Sequence, residues 1–281
     1  MGFSCFSTLC AQERGSSVPY ISGDSFRVYC DFTFDELNKK IDFNRVKNGS
    51  TIFVKTDYLE DFFKKVHPRI HSRYILVAHN SDHSSPGYFE RYLDDDKLIA
   101  WFGQNIGIQH PKLHPIPIGI ANRCFAHGNI DVVHKQQERA KQTQKDIFLY
   151  MNFDKNTYLL ERQQVASLFE GKPYCTIASP KEYKFYLADL ARSKFVLSPR
   201  GNGLDCHRTW ESLLMGAIPI VRESLLDPMY ENLPVLIVKD WNEITEEFLQ
   251  NKYEEITSKS YEMEKAYIFY WLELINSYKS K

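Results

Sequence analysis

The chain has 281 residues, 43% of them hydrophobic and 14% aromatic, enough to bury one large core or two smaller ones. Its 35 Lys and Arg nearly balance its 36 Asp and Glu, which argues against a broad electrostatic surface for nucleic acid. An anionic substrate must therefore be held by a few placed cations instead of by the field of the whole protein.

Cysteine spacing and hydropathy indicate the cellular compartment in which the protein is expected. Six cysteines, at 5, 10, 30, 124, 175 and 206, form no C-x-x-C pair, which predicts reduced thiols and a reducing compartment. No apolar run reaches 18 residues, so no transmembrane helix is expected. The opening "MGFSCFSTLC" lacks a basic n-region, and Phe6 stands where a myristoylation signal needs Ser or Thr. We expect a cytoplasmic protein, and peripheral membrane association stays open.

Short apolar runs alternate with helical patterns along the chain. The runs are apolar throughout, as in parallel strands covered on both faces, and the alternation predicts open α/β sheets. Strands are predicted at 51–57, 73–80, 97–105, 114–120, 146–153, 173–179, 194–199, 218–222 and 233–238, and helices at about 156–170, 180–192, 205–216 and 242–252.

The polar stretch 127–146 is typical of a solvated helix, a linker, or both, and we place a domain boundary near residue 140. This divides the chain into domains 1–140 and 141–281, the second ending in one long amphipathic helix at 257–280 that starts with a capping Ser or Thr. The expected architecture is two Rossmann-like halves facing each other across a cleft. Ligands in such folds lie beyond the carboxyl ends of the strands, here after residues 80, 105 and 199.

The segment "KFVLSPRGNGLDCHRTWESLLMGAIPIV" (194–221) places a glycine-containing loop and a helix between two apolar strands. Gly201 and Gly203 are expected to take positive φ and let the backbone approach a ligand closely. Asp205 is the predicted N-cap of the helix. A helix start offers unpaired N–H groups and partial positive charge, which suit a phosphate.

Two arginines add fixed charge to this loop. Arg200 and Arg208 can each bind phosphate through two parallel hydrogen bonds. Glu211 shares a helix face with His207 and Arg208, and the competing interpretation is a solvated Arg208–Glu211 ion pair of little energetic consequence. Strand, glycine turn, two arginines and helix start together predict a diphosphate site.

The stretch "SPRGNGLDCHRTWESLLMGAIPIV" (198–221) resembles the strand–PRG–helix–IPV element of the exostosin-like glycosyltransferases, glycosyltransferase family 47. Fainter likeness extends to 115–122 and 22–36. The resemblance implies a GT-B fold in which domain 141–281 binds a nucleotide-sugar donor, a UDP-sugar being expected, and domain 1–140 faces the acceptor. It implies transfer of a hexosyl or pentosyl group to a glycan or other hydroxyl acceptor, with inversion.

The resemblance also implies roles within the motif. Arg200 and Arg208 would hold the donor diphosphate, and Glu211 the ribose or uracil side. The donor-binding set is completed by Gly201, Asn202, Gly203 and His207. The chain departs from animal exostosins in lacking their membrane anchor and second catalytic domain, so heparan-type polymerisation is not expected; a small transferase acting on a bacterial or viral glycan fits better.

An inverting transfer needs a base for the acceptor hydroxyl. "LVAHNSDHSSPG" (76–87) follows a predicted strand, and Asp82 or His83 is the candidate base, the alternative being ordinary turn chemistry. His79 is interpreted as structural or as an acceptor contact. Loops 103–115 and 119–129 offer Asn105, His110 and Arg123 as contacts to acceptor or phosphate.

The acidic triplet 94–96 invites a metal-binding interpretation. However, it precedes a predicted strand and so lies at the amino end, away from the ligand edge, where a solvated turn is expected. We therefore expect neither a metal nor another cofactor. Two other functions stay open: a non-catalytic module of the same fold that binds nucleotide-sugar or a polyanion, and an unrelated phosphate-handling α/β enzyme.

Overall fold

The structure is a computed structural model that describes residues 14–280. Within this range the chain forms two compact units, one made of 14–128 and 267–280 and the other of 129–266. The boundary therefore lies earlier than the predicted residue 140. The polar stretch is a helix that packs against a helix of the second unit, and its first turn is capped by the side chain of Asn129.

The first unit is built on one parallel sheet whose five strands follow chain order. The strands are β1 (Phe32–Phe34), β2 (Ser50–Lys55), β3 (Tyr74–His79), β4 (Leu98–Gly103) and β5 (Leu113–Pro115). Before residue 128, its α-helices include α1 (Gly23–Tyr29) and α2 (Leu59–Asp61), and α2 continues as a π-helical turn over Phe62–Val66. The short β1 is too brief to give a strand pattern, and the sequence did not predict it.

The second unit also holds a parallel sheet of five strands, in the order β10-β9-β8-β6-β7. The strands are β6 (Ile147–Met151), β7 (Cys175–Ile177), β8 (Ser193–Leu197), β9 (Ile218–Arg222) and β10 (Leu236–Val238). The helices are α3 (Ile130–Ala140), α4 (Leu159–Phe169), α5 (Tyr183–Arg192), α6 (His207–Leu214), α7 (Asp227–Tyr230) and α8 (Glu246–Thr257). The α/β fold with two parallel sheets is confirmed.

Strand order in the second sheet reverses between β6 and β8. From β6 the chain moves outward to β7, crosses back to β8 on the other side of β6, and continues to β9 and β10. This is the doubly wound order in which ligands lie beyond the carboxyl ends of the two central strands. Buried side chains of these strands, among them Leu149, Phe195 and Ile220, pack with Trp241 and Leu249 into one core.

The prediction of one long terminal helix at 257–280 is wrong. Helix α8 ends at Thr257, a short 3-10 turn covers Met263–Ala266, and a separate helix α9 (Ile268–Ser277) belongs to the first unit. The break is held by tertiary hydrogen bonds: the backbone N–H of Glu262 donates to Asn232, and that of Ile268 donates to Pro19. Such long-range partners leave no mark on the local helical pattern.

Two further findings concern the helices and the cysteines. None of the helices within 14–280 combines the length and apolar character needed to cross a membrane. Cys30, Cys175 and Cys206 are free thiols, but Cys124 is disulfide-bonded, so the prediction of reduced cysteines is wrong for that residue. Cysteine usage thus no longer supports the predicted cytoplasmic location.

Candidate functional site

The candidate site lies where the second sheet reverses its strand order. Strand β6 is followed by Asn152 and Phe153, and β8 by the loop 198–206 that leads into α6. Because the two strands are adjacent and parallel, both segments leave the same edge of the sheet. The sequence prediction placed the loop at this edge, after residue 199.

Buried polar contacts hold the loop 198–206 against the sheet. The hydroxyls of Ser198 and Thr209 lie 2.9 Å apart, joining the start of the loop to α6. The buried Asp205 accepts hydrogen bonds from the backbone N–H of Cys206 (2.9 Å) and from Trp210 Nε1 (2.8 Å). These contacts hold the side of the loop that faces the sheet.

Two local predictions for this loop are wrong. The N-cap of α6 is Cys206, in extended conformation, and Asp205 instead braces Trp210. Neither Gly201 nor Gly203 has positive φ. Gly201 does mark a close approach, but its neighbour is another part of the chain, since a Cβ there would lie 3.2 Å from Nη2 of Arg162.

Arg208 spans from α6 to the end of β6. Its Nε donates to the carbonyl oxygen of Asn152 at 3.1 Å, and its guanidinium lies 5.5 Å from the ring centre of Phe153. Its Nη1 is buried and has no hydrogen-bond partner within the described part of the chain. A buried guanidinium N–H without an acceptor costs about 1–3 kcal/mol or more, so this atom is suited to an anionic ligand.

Glu211 lies one turn further along α6 and is buried. Its two carboxylate oxygens accept hydrogen bonds from the hydroxyls of Tyr183 (3.0 Å) and Tyr186 (3.1 Å). Burial raises the pKa of Glu211, and the hydrogen bond from Tyr183 and the charge of Arg208 oppose that rise. This carboxyl is held inside the fold, so the solvated ion pair considered from sequence does not describe it.

Sequence reasoning missed Arg162, which lies on α4 and is 6% exposed. Its Nε donates to the carbonyl oxygen of Arg200 (2.8 Å) and its Nη1 to that of Asp154 (2.9 Å), so it ties the loops after β6 and β8 together. Burial, and then the charge of Arg208, lower the pKa of Arg162. In the sequence this residue is one charge within the predicted helix 156–170, and only the fold brings it to Arg200.

Arg200 faces a cavity of about 210 Å³ beyond the ends of β8 and β9. Its Nη2 donates to the carbonyl oxygen of Asn202 at 2.9 Å, and its guanidinium lies 4.3 Å from the ring centre of Tyr158. The cavity's other polar lining residues are Glu161, Ser198, Arg222, Glu223, Ser224 and Tyr230. Arg208 is not among the residues that line this cavity. Arg162 lies near both predicted arginines: it donates to the carbonyl oxygen of Arg200, and it lies near the Phe153 ring, as Arg208 does.

The remaining motif residues surround these arginines. His207 is the first residue of α6 and is partly buried, whereas Asn202 is exposed at the tip of the loop. Cys206 directly precedes His207, and burial raises the pKa of its thiol. The fold therefore brings the predicted donor-binding residues to one edge of one sheet.

In the first unit, the predicted acceptor-side residues follow β3. His79 is buried; its Nδ1 accepts the backbone N–H of Asn80 (2.7 Å), which makes Nε2 the donor to the Pro117 carbonyl (3.0 Å). These two contacts are with the backbone, as the interpretation of His79 as a structural residue requires. Asp82 and His83 are exposed, and His83 Nε2 lies 3.8 Å from Asp57 Oδ1.

The other predicted contact residues are Asn105, Arg123 and His110. Asn105 is buried with φ of 56°, and its carbonyl oxygen accepts from the hydroxyl of Ser84 (2.8 Å). Arg123 is exposed. His110 Nε2 lies 3.5 Å from Asp94 Oδ1, which joins it to the acidic triplet 94–96. That triplet lies before β4, at the amino end of the sheet, as predicted.

No family model matches the chain, and no curated protein matches it. Three similar solved structures are a pneumococcal O-GlcNAc transferase GtfA in complex with UDP and GlcNAc (TM-score 0.41, 10% identity), a GtfA/B complex (0.39, 12%) and TarM (0.36, 12%). They cover 83–85% of this chain, which spans only 56–59% of their length. TM-scores this low establish neither a shared fold nor a shared activity.

Proposed function

We propose that the chain is a glycosyltransferase of GT-B type that binds a nucleotide-diphosphate sugar, a UDP-sugar being the expected donor, at the carboxyl edge of its second sheet. The observation that carries the proposal is the buried Nη1 of Arg208, which has no acceptor among residues 14–280 and lies where strand order reverses. A phosphate oxygen satisfies this N–H and takes a charge-assisted bond.

Neighbouring groups support a diphosphate ligand. Arg162 and Arg200 add two further guanidinium groups around the same loop, and the start of α6 adds the partial positive charge of a helix N-terminus. A departing diphosphate gains from such preorganised positive charge as its own charge develops. The arginines and the helix would perform this role without a divalent metal.

The chemistry proposed at this site is sugar transfer because the residues 198–221 resemble the exostosin-like motif. Glu211 is proposed to serve the ribose or uracil side of the donor, as the exostosin-like motif implies. Asp82 or His83 is proposed as the base, since both are exposed side chains following β3. The acceptor is proposed to be a glycan or another hydroxyl compound.

The test is incubation of the full chain with a panel of UDP- and GDP-sugars, measuring binding by calorimetry and release of free nucleotide over time. Slow hydrolysis of at least one nucleotide-sugar is expected, because water substitutes for the missing acceptor. Binding without nucleotide release would indicate the alternative, a non-catalytic nucleotide-sugar-binding module. Absence of binding to every member of the panel would contradict both.

A further inference from the structure

A second polar cluster lies at the carboxyl edge of the first sheet. Lys55 ends β2, Glu36 follows β1, Asn80 follows β3, and the loop after β5 supplies Asn122. We call the set formed by Arg14, Asp24, Glu36, Lys55, Asn80 and Asn122 the Asp24 cluster. None of the functional roles discussed above uses it.

Asp24 is the buried centre of this cluster, with no exposed surface. Its Oδ1 accepts from Arg14 Nη1 (3.0 Å) and from Asn80 Nδ2 (3.0 Å). Asn122 accepts from the backbone N–H of Asp24 (2.9 Å) and donates to Asn80 Oδ1 (2.9 Å). At Gly23 a Cβ would lie 1.8 Å from Asn80 Oδ1, so only glycine permits this approach.

Three atoms of the cluster are buried with no hydrogen-bond partner in residues 14–280: Oδ2 of Asp24, Oε2 of Glu36 and Nε of Arg14. Each such atom costs about 1–3 kcal/mol or more if it stays unsatisfied, so the arrangement favours a ligand. The two carboxylate oxygens each need a donor, and the Nε–H of Arg14 needs an acceptor. A hydroxyl group is both.

The charges of the cluster also indicate the net charge of its ligand. The carboxylates of Asp24 and Glu36 are offset by Arg14, which pairs with both, and by Lys55, whose Nζ lies 3.5 Å from Glu36 Oε2. Two negative and two positive groups leave no net charge, so neither an anion nor a cation is favoured. Glu36 and Lys55 have partly exposed side chains, 28% and 26%, and form the open side of the cluster.

We propose that the Asp24 cluster binds a hydroxyl group of a neutral carbohydrate, which donates to Asp24 Oδ2 and accepts from Arg14 Nε. Its identification as the acceptor subsite rests on the proposed function. Carbohydrate binding itself does not, because every group involved belongs to the first unit.

The test is an NMR titration of the full chain with methyl glycosides of glucose, galactose, mannose, xylose and N-acetylglucosamine. At least one glycoside is expected to bind. Asp24→Asn removes the charged acceptor and Arg14→Lys removes the Nε–H while keeping the charge, so each is expected to weaken binding about tenfold or more. Asp96→Asn, at an exposed residue before β4, is the matched control and should bind as the parent does.

Two results would overturn this inference: no glycoside in the panel binds, or both Asp24→Asn and Arg14→Lys keep full affinity, in which case the cluster holds ordered water only. If Asp24→Asn fails to fold, Arg14→Lys decides, because it keeps the ion pair to Asp24. UDP affinity measured on the same samples tests the proposed function separately, and we expect Arg14→Lys to leave it unchanged.

Discussion

Arg208 donates from Nε to the carbonyl oxygen of Asn152 at 3.1 Å, across 56 residues of chain. The bond joins the first turn of α6 to the end of β6, the two segments that flank the reversal of strand order. It also orients the guanidinium, leaving Nη1 buried and without an acceptor among the residues described. A residue anchored by one nitrogen and unsatisfied at another is arranged for a ligand.

Replacing Arg162 should affect both stability and ligand affinity. Arg162→Gln removes the donors to the carbonyls of Arg200 and Asp154 and leaves these groups without their partner. We expect the free energy of unfolding to fall by about 2–4 kcal/mol. Chemical denaturation at neutral pH measures the change, and UDP affinity should fall with it because the loop after β8 loses its anchor.

Arg192→Gln is the matched control for this change. Arg192 is a solvent-exposed arginine that pairs with Asp146, so its loss should cost no more than about 1 kcal/mol. An Arg162→Gln variant as stable as Arg192→Gln would show that Arg162 does not hold the two loops together.

The buried Glu211 predicts a particular pH dependence of stability. Burial raises its pKa above the ordinary value of 4.5, so just above that pH the folded chain keeps a proton that the unfolded chain has lost. The contribution of Glu211 to the free energy of unfolding therefore falls as pH rises through this window. Glu211→Gln removes the contribution while keeping an acceptor for Tyr183.

Denaturation of parent and Glu211→Gln between pH 4 and pH 7 measures this difference. The variant should gain stability relative to the parent as pH increases over that range. Parallel pH profiles for the two proteins would mean that the carboxyl at 211 titrates alike in the folded and unfolded chains.

The predicted base is tested by Asp82→Asn and His83→Asn. Both side chains are exposed, so we expect stability changes within about 0.5 kcal/mol and unchanged UDP affinity. One of the two should slow nucleotide release from the best nucleotide-sugar by about a hundredfold or more. If both variants turn over at the parent rate, the base must be sought elsewhere.

The sequence predicted the strands well because each is a continuous apolar run between polar or glycine-containing segments. Its second-unit runs 146–153, 194–199 and 218–222 correspond to β6, β8 and β9. The order of these strands was not predictable, since apolar pattern carries no information on which strand lies beside which. The loop 198–206 was therefore found, but not the reversal of strand order that places it beside Asn152.

What the sequence missed depends on contacts between distant residues. Arg162 meets Arg200 across 38 residues, and Asp24 meets Asn122 across 98. In the sequence, Arg162 is one charge within the predicted helix 156–170, and nothing local marks Asp24. The sequence also did not predict backbone conformation in this segment. Positive φ was expected at Gly201 and Gly203, whereas in this segment it occurs at Gly216, just beyond the end of α6.

The most direct measurement of the central claim is calorimetric titration of UDP into the parent, Arg208→Ala and Arg192→Ala. We expect Arg208→Ala to fold but to lose UDP affinity by about a hundredfold, as removal of a buried charged donor costs roughly 1.5–3 kcal/mol, while Arg192→Ala binds as the parent does. An Arg208→Ala variant that binds UDP as tightly as the parent would contradict the assignment of a diphosphate to this edge of the sheet.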